Sequence, residues 1–562
     1  MPSPSSRTIN PRQHGLLSNG HYSVMLSSSG SGYSQWHDLA VTRWREDPTR
    51  DPWGSYLLLR DEDGGAVWST SQQPLGLRMP DDAVVFSAGR ASFSRRHHSL
   101  HSVLDVAVAH DADIELRRLT LSNHGDRTRT FSITSYAELV IGPVGADNAH
   151  PAFSKMFVET EWDAAHGVLL ATRRRRASSE AEVWAAHALQ VVGQPADTTP
   201  EYETDRACFL GRGRTLRQAQ AMQPGAMLSN SRGCVLDPVF SLRRRVSLGP
   251  GASVTLLLWT QLADSREGAL ALATRLGNAN AAELLFADAA NHAEAEQQRL
   301  GIDAAQAARF AHWMDAVLSS DPSQRAAPDV LTRGRGGPPT LWAAGISGDR
   351  PIVLLRLGHS DALPRVQELL LAQDYWRSQR LAVDVVLLNS ATGADGDALQ
   401  SVIASLVSTQ QALLKASDQL PKAELFALRD AAISDDLRNG LLTVARVVLD
   451  DVPPTPITAT SAAAIATPVV IRASTPASAA TTATAGQPEF ANGHGGFSDN
   501  GRSYRIDLDD KHPTPAPWVN VIANPAFGFL VSAEGGGYAW SLNSQQNPLT
   551  PWPNDPVMSV PG

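Results

Sequence analysis

Lysine is nearly absent from this 562-residue chain. It occurs at Lys155, Lys415, Lys422 and Lys511, so arginine carries almost all of the 48 positive charges. Against 57 acidic residues the net charge is −9, which argues against a polyanion-binding surface and a nucleic-acid partner. Cysteine is scarcer still, with Cys208 and Cys234 alone. Two cysteines are too few for a disulfide framework or a zinc site. Their apolar neighbours predict two small buried side chains, and the default compartment is then the reducing cytoplasm. No apolar run reaches the ~18 residues that a membrane span needs, so direct membrane insertion is not expected. The opening residues 1–14 are polar and Pro/Ser-rich, unlike a signal peptide, and read as a flexible tail. Walker-type glycine loops, GxGxxG, HExxH and GxSxG are missing, and no cofactor is expected. His97 and His101 on one strand would share a face ~13 Å apart, too far for one ion. Surface histidines are expected there, with no metal site. The run Arg173–Arg176 reads as a solvated loop.

What is present is mostly β-structure. Over 15–280 short segments alternate apolar and polar residues, as in Phe131, Ile133, Ala137 and Leu139 against Thr134 and Glu138. Period two marks a half-buried strand. Turn signals punctuate them: Asn123-His-Gly-Asp126 between 114–121 and 131–139, and Gly249-Pro-Gly251 between 244–248 and 254–259. Both read as hairpins. The expected class is mainly β, a large antiparallel super-sandwich of two sheets. Residues 281–330 change to a helical period and read as a helical linker. In 331–452 two continuous apolar runs, 351–357 and 381–388, flank a helical stretch. Strands buried on both faces and joined by a helix predict a small α/β domain with a parallel pair. Residues 453–488 are Ala/Thr/Pro-rich with almost no charge and read as a flexible linker.

The two ends resemble each other. Asn19, Tyr22, Ser27, Gly32 and Tyr33 match Asn524, Phe527, Ser532, Gly537 and Tyr538 in spacing. Trp36 is matched to Trp540 after a one-residue shift, and Thr49 to Trp53 is set against Thr550 to Trp552. Residues 489–562 are therefore expected to be the start of a second, truncated sandwich, poorly packed because opening strands cannot bury their apolar face alone.

One segment mixes flat aromatics with planar polar groups: Tyr33, Trp36, Arg43, Trp44, Arg45, Asp47, Arg50, Asp51 and Trp53. Trp540, Asn543, Trp552, Asn554 and Asp555 have the same character near the end. Sugars offer apolar C–H faces and many hydroxyls, so such a mixture suits carbohydrate contact. The alternative is that the aromatics anchor sandwich loops and the charges pair among themselves.

The stretches Leu17-Ser-Asn-Gly, Ala40-Val-Thr-Arg-Trp44-Arg-Glu-Asp47, Ser135-Tyr-Ala-Glu138 and His150-Pro-Ala-Phe-Ser154 resemble the sandwich module of cyclic β-1,2-glucan synthases. So do Glu203-Thr-Asp-Arg206, Leu236-Asp-Pro-Val239, Gly345-Ile-Ser-Gly-Asp349, Pro517-Trp-Val-Asn and Leu549-Thr-Pro-Trp552-Pro-Asn-Asp-Pro556. The resemblance implies the region after the cyclising barrel and the opening of a cellobiose-phosphorylase-like part. The family is anchored in the bacterial inner membrane, and its sugar chemistry resides in acidic residues of helical barrels. No catalytic residue is carried over. The implied function is a non-catalytic, carbohydrate-associated part of such a glycosyltransferase/phosphorylase, acting with the remaining domains of the synthase. It would be cytoplasmic, near the inner membrane, with β-1,2-glucan or a related glucan as ligand. An autonomous glucan-binding or scaffolding protein is the alternative. A weaker one is a hydrolase using Asp47 and Asp51.

Overall fold

In the computed structural model the described residues are 13–47, 49–193, 200–275, 279–319, 321–334, 337–416, 420–450, 488–508 and 513–558. The segment 453–488, expected as a linker, lies outside them except for its last residue, as do residues 1–12 of the expected tail. Two compact units, Met1–Asp451 and Val452–Gly562, are described separately.

The first unit is built on two nine-stranded sheets. The first runs in the order His14–Ser18, Tyr22–Ser27, Gly32–Trp36, Leu39–Thr42, Arg129–Pro143, Pro238–Leu248 and Glu201–Asp205. Tyr56–Asp61 and Val67–Ser69 extend it through Arg129–Pro143. The second runs Gly233–Cys234, Val158–Asp163, Val168–Arg173, Trp184–Val192, Ser253–Ala263, Ile114–Asn123, Leu100–Val108, Arg90–His97 and Ala83–Ser87. Their facing apolar residues, among them Leu17, Tyr22, Leu59, Leu104, Leu119, Phe131, Phe240 and Leu256, form one core. The chain is thus mainly β, with large antiparallel sheets, as its period-two text predicts.

The two turn signals do not make hairpins. Ile114–Asn123 pairs with strands of the second sheet, whereas Arg129–Pro143 belongs to the first. Likewise Pro238–Leu248 lies in the first sheet and Ser253–Ala263 in the second. Both connections are arches that cross from sheet to sheet. One side chain ties them together: Asn123 Nδ2 donates to the carbonyls of Arg127 (2.9 Å), Leu248 (3.0 Å) and Gly249 (3.2 Å).

Other local expectations are corrected. His97 and His101 stand on opposite strands of a tight hairpin, His97 paired with Leu100 and Arg96 with His101. His97 is stacked on Trp68 at 4.3 Å, not free on the surface. Both cysteines are exposed, not buried. Cys208 sits on the helix Arg206–Leu210, which Asp205 caps by accepting from Ala207 N. The apolar neighbours misled, because Leu236 beside Cys234 is itself 75% exposed.

The helices after the sandwich are packing elements. Ala279–Leu300 lays Leu285, Phe286 and Ala289 on the outer face of the second sheet, against Leu116 and Trp259. Ala304–Ser319 contributes Phe310, Trp313 and Val317 to the core of an α/β layer. That layer holds a parallel sheet ordered Leu425–Arg429, Asp384–Asn389, Ile352–Leu357, Val447–Asp450. Leu363–Ser378 and Gly393–Ala416 cross over between its strands. It is fastened to the sandwich by His14 N to Asp315 (2.6 Å), Arg380 to the Gly20 carbonyl (2.9 Å), and a bidentate Arg446–Glu46 pair at 2.7 Å.

In the second unit Val519–Ala523, Phe527–Ser532 and Gly537–Ser541 form an antiparallel meander, and Gly495–Ser498 pairs with Ser503–Ile506. Among the described residues no helix is long and apolar enough to cross a membrane.

Candidate functional site: a duplicated tyrosine–tryptophan ledge

The likeness of the two ends extends to individual hydrogen bonds. Asn19 Oδ1 accepts from His21 N and Tyr22 N, and Asn524 Oδ1 accepts from Ala526 N and Phe527 N. Ser27 N donates to Ser31 O, and Ser532 N to Gly536 O. Ser28 N donates to Gln13 O, and Ala533 N to Trp518 O. A Cβ on Gly32 would overlap the Met25 carbonyl, and one on Gly537 the Leu530 carbonyl. Bare backbone is needed at both positions because the neighbouring strand leaves no room.

Past this point the copies differ in one turn. His37–Asp38 joins Trp36 to Leu39 in the first copy. Residues 542–546 take that place in the second, where Ser541 N donates to Asn547 O. The register then resumes. Thr42 Oγ1 accepts from Ser34 N at 2.9 Å, and Thr550 Oγ1 from Ala539 N at 3.1 Å. Asp47 Oδ1 accepts from the amides of Thr49 and Arg50, and Asp555 Oδ1 from those of Val557 and Met558. The structural partners are therefore Thr42 with Thr550, Trp44 with Trp552 and Asp47 with Asp555. Trp36 matches Ser541, not Trp540, and Thr49–Trp53 does not match Thr550–Trp552.

This register builds the same aromatic pair twice. Tyr33 meets Trp44 edge-on at 5.6 Å, and Tyr538 stacks with Trp552 at 5.8 Å. Tyr33 projects from the strand Gly32–Trp36, while the bond from Ser34 N to Thr42 delivers Trp44 beside it. Burial pushes the Tyr33 phenol up to about 12, so it remains a neutral donor. The Trp44 Nε1 is shielded and has no hydrogen-bond partner among the described residues. A cavity of about 220 Å³ opens here, lined by Tyr33, Gln35, Thr42, Trp44, Val140 and Asp147.

Under the first ledge lies a buried charge network. Arg43 bonds Asp147 through two nitrogens (3.0 and 2.8 Å) and Glu138 at 3.0 Å. Arg206 bonds Glu138 at 2.9 Å and Asp237 at 2.8 Å, and Lys155 reaches Asp237 at 2.8 Å. Burial opposes the Arg43 charge, but Asp147 and Glu138 outweigh it and hold its pKa above the ordinary value. Burial raises the Asp147 carboxyl, yet Arg43 holds it below the usual range. Burial lowers the Lys155 ammonium despite Asp237. Most of these residues come from separate stretches quoted for the family resemblance; Asp147 and Lys155 flank one of them. In the second copy Pro551 and Pro553 replace Arg43 and Arg45.

The remaining candidates are scattered. Trp36 points to the opposite face of its strand, donates to Asp113 Oδ2 at 2.7 Å and packs on the core. Trp53 is half-buried, and its carbonyl accepts from Gly32 N. Asp51 accepts from the hydroxyls of Ser27, Ser29 and Ser31 at 3.2, 2.6 and 2.5 Å. Asp47 thus holds a turn, and Asp51 is held by serines. Arg50 is exposed, and Arg45 reaches the Asp147 carbonyl at 3.3 Å. In the second copy Trp540 is 9% exposed, Asn543 caps a turn through the amides of Gln545 and Gln546, and Asn554 is exposed. The segment 33–53 begins as two strands.

Comparison with known proteins gives a match to the family described as "Glycosyl hydrolase 94, supersandwich domain" over residues 4–279 and again over 502–562. The chain is 35% identical over 568 aligned residues to the cyclic beta-(1,2)-glucan synthase NdvB of Rhizobium meliloti (strain 1021), covering 98% of this chain and 20% of that protein. It is 28% identical over 154 residues to the N,N'-diacetylchitobiose phosphorylase of Vibrio furnissii, 26% of this chain and 19% of that one. For the enzyme of the same name from Vibrio proteolyticus the values are 24% identity, 52% and 33%. The chain thus spans a third or less of the length of each of these relatives.

Proposed function

Because the chain belongs to the glycosyl hydrolase 94 supersandwich family, we propose that it is the non-catalytic, carbohydrate-holding part of a cyclic β-1,2-glucan synthase-like glycosyltransferase/phosphorylase. It works in glucan synthesis with catalytic domains that bring the chemistry, at the cytoplasmic side of the inner membrane. The observation that carries this reading is the duplicated ledge. A tyrosine–tryptophan pair, edge-on in the first copy and stacked in the second but held in the same hydrogen-bond frame, offers half-buried aromatic surface, which suits contact with a glucose ring.

The test is calorimetric titration of the chain with β-1,2-glucan. Stacking on such ledges gives about −4 to −6 kcal/mol, a millimolar to tens-of-micromolar Kd. Salt leaves it unchanged, because a neutral glucan releases no counterions. Trp44→Ala and Trp552→Ala should each reduce the signal. A wild-type chain silent to millimolar glucan would sink the reading. So would release of glucose 1-phosphate from glucan and phosphate by the purified chain, which a non-catalytic part does not perform.

A further inference from the structure

A larger cavity, about 510 Å³, opens at the amino edge of the parallel sheet. Residues 280–501 fall outside the two family matches, so the supersandwich assignment says nothing about it. Its walls come from the helix Pro338–Trp342, the turn after it and the end of the helix Asp435–Val444. The helix divides two neighbours: Leu341 is 5% exposed and packs in the core with Ile352 and Leu354, while Trp342 is 58% exposed on the cavity wall. The Trp342 ring is not loose. Its Nε1 donates to the Ser347 carbonyl at 3.1 Å, which pins the edge and leaves the face open.

The charges around the cavity narrow the ligand. Arg446 is spent on Glu46 in a bidentate pair. Arg350 reaches Asp384 at 3.4 Å and Glu424 at 4.0 Å. Both guanidiniums are therefore already neutralised. Asp349, whose amide donates to Ser347 Oγ at 3.2 Å, meets no cation among the described residues and is exposed. A cavity with paired arginines and an uncompensated carboxylate repels phosphate. A pinned indole face, a free carboxylate and the Ser347 hydroxyl suit an uncharged, hydroxyl-rich ring. The volume lies within the roughly 300–1,000 Å³ of small-ligand sites.

We infer that this cavity is a second saccharide site, in which a neutral gluco-oligosaccharide stacks on Trp342 and hydrogen-bonds Asp349. The choice of glucose units rests on the function proposed above; the site itself does not depend on the ledge. The Gly345-Ile-Ser-Gly-Asp349 stretch, whose Ile346 packs in the core, then has a second role: it supplies the Ser347 carbonyl that holds the indole edge and puts the Asp349 carboxylate on the wall of the same cavity.

The experiment is titration of the full chain with short β-1,2-gluco-oligosaccharides, and separately with glucose 1-phosphate, comparing wild type, Trp342→Ala, Asp349→Asn and Trp44→Ala. Trp342→Ala and Asp349→Asn should each weaken oligosaccharide binding at one class of site at least about tenfold, with unchanged melting temperatures because both side chains are exposed. Glucose 1-phosphate should bind that site at least about tenfold more weakly. Trp44→Ala should leave it intact, so failure of the ledge and failure of this cavity are read from different variants. Curves for both cavity variants that superimpose on wild type overturn the inference, as does tighter binding of glucose 1-phosphate.

Discussion

Tyr22 and Phe527 occupy the same position of one repeated meander, yet Tyr22 is 0% exposed and Phe527 is 45% exposed. Leu17 and Ile522, another matched pair, stand at 2% and 48%. In the first copy the second sheet covers these residues, and the Tyr22 hydroxyl donates to Glu115 at 3.1 Å. In the second copy no such cover exists among the described residues. Equivalent substitutions should therefore have unequal effects. Tyr22→Ala is expected to cost about 3–5 kcal/mol in chemical denaturation. Phe527→Ala should stay within about 0.5 kcal/mol and reduce the binding of a hydrophobic dye. Equal losses would mean that the second face is covered in solution.

Gly32 tests the frame that carries the ledge. A methyl group there overlaps the Met25 carbonyl, and only separation of the two strands relieves it. Gly32→Ala should cost about 1–3 kcal/mol and, by displacing Tyr33, should broaden its near-ultraviolet circular dichroism. Gly145→Ala is the control, since its Cβ would meet nothing within 4 Å and its backbone lies outside the left-handed region.

The buried network has a pH signature. Because Arg43 holds the Asp147 carboxyl below its unfolded value, the folded state binds fewer protons than the unfolded one as pH falls through the carboxylate range. The stabilisation is fully present above about pH 4 and is lost below it. Arg43→Met should cost about 3–5 kcal/mol near neutrality, since it strands buried carboxylates. The gap between variant and wild type should narrow below about pH 4. A pH-independent gap would assign the arginine a packing role alone.

His187 provides an independent slope. It is buried, stacked on Phe240 at 5.1 Å, and placed within hydrogen-bond reach of Ser135 and Thr260. Burial first, and Arg117 second, lower its pKa to about 3. Between pH about 6.5 and 3 the unfolded chain takes up a proton that the folded chain refuses, so stability falls with pH by up to about 1.4 kcal/mol per unit. His187→Gln should flatten the stability profile in that window, measured by denaturant midpoints.

Much of this architecture is legible in the sequence and some is not, for physical reasons. Ile352–Leu357 and Asp384–Asn389 stand out as continuous apolar runs because a parallel sheet buries both faces of its strands. Asn19, Gly32 and Tyr33 expose the repeat because each answers a backbone demand that recurs unchanged in Asn524, Gly537 and Tyr538. Trp36 is mispaired because aligning the two tryptophans took a one-residue shift that the backbone does not make, and Thr49–Trp53 because the longer turn at 542–546 displaces the register beyond it. Asn123–Asp126 and Gly249–Gly251 announce chain reversals, but turn chemistry is local and does not say which sheet each strand joins. The network of Arg43, Glu138, Asp147, Lys155, Arg206 and Asp237 is invisible in the sequence because it assembles stretches far apart along the chain. Trp342 escapes notice because it stands alone, away from any aromatic cluster.

The arches held by Asn123 bear on the order in which the chain can become protein. Crossing between sheets means that a ribosome delivers strands to both sheets in alternation. Ser253–Ala263, the last to emerge, belongs between Trp184–Val192 and Ile114–Asn123, in the middle of its sheet. Until residue 263 is free, two partial sheets must wait with open inner edges, the kind of edge that pairs with foreign strands. Pairing across long loops is settled there at once, the kind of step that slows folding and exposes a chain to aggregation.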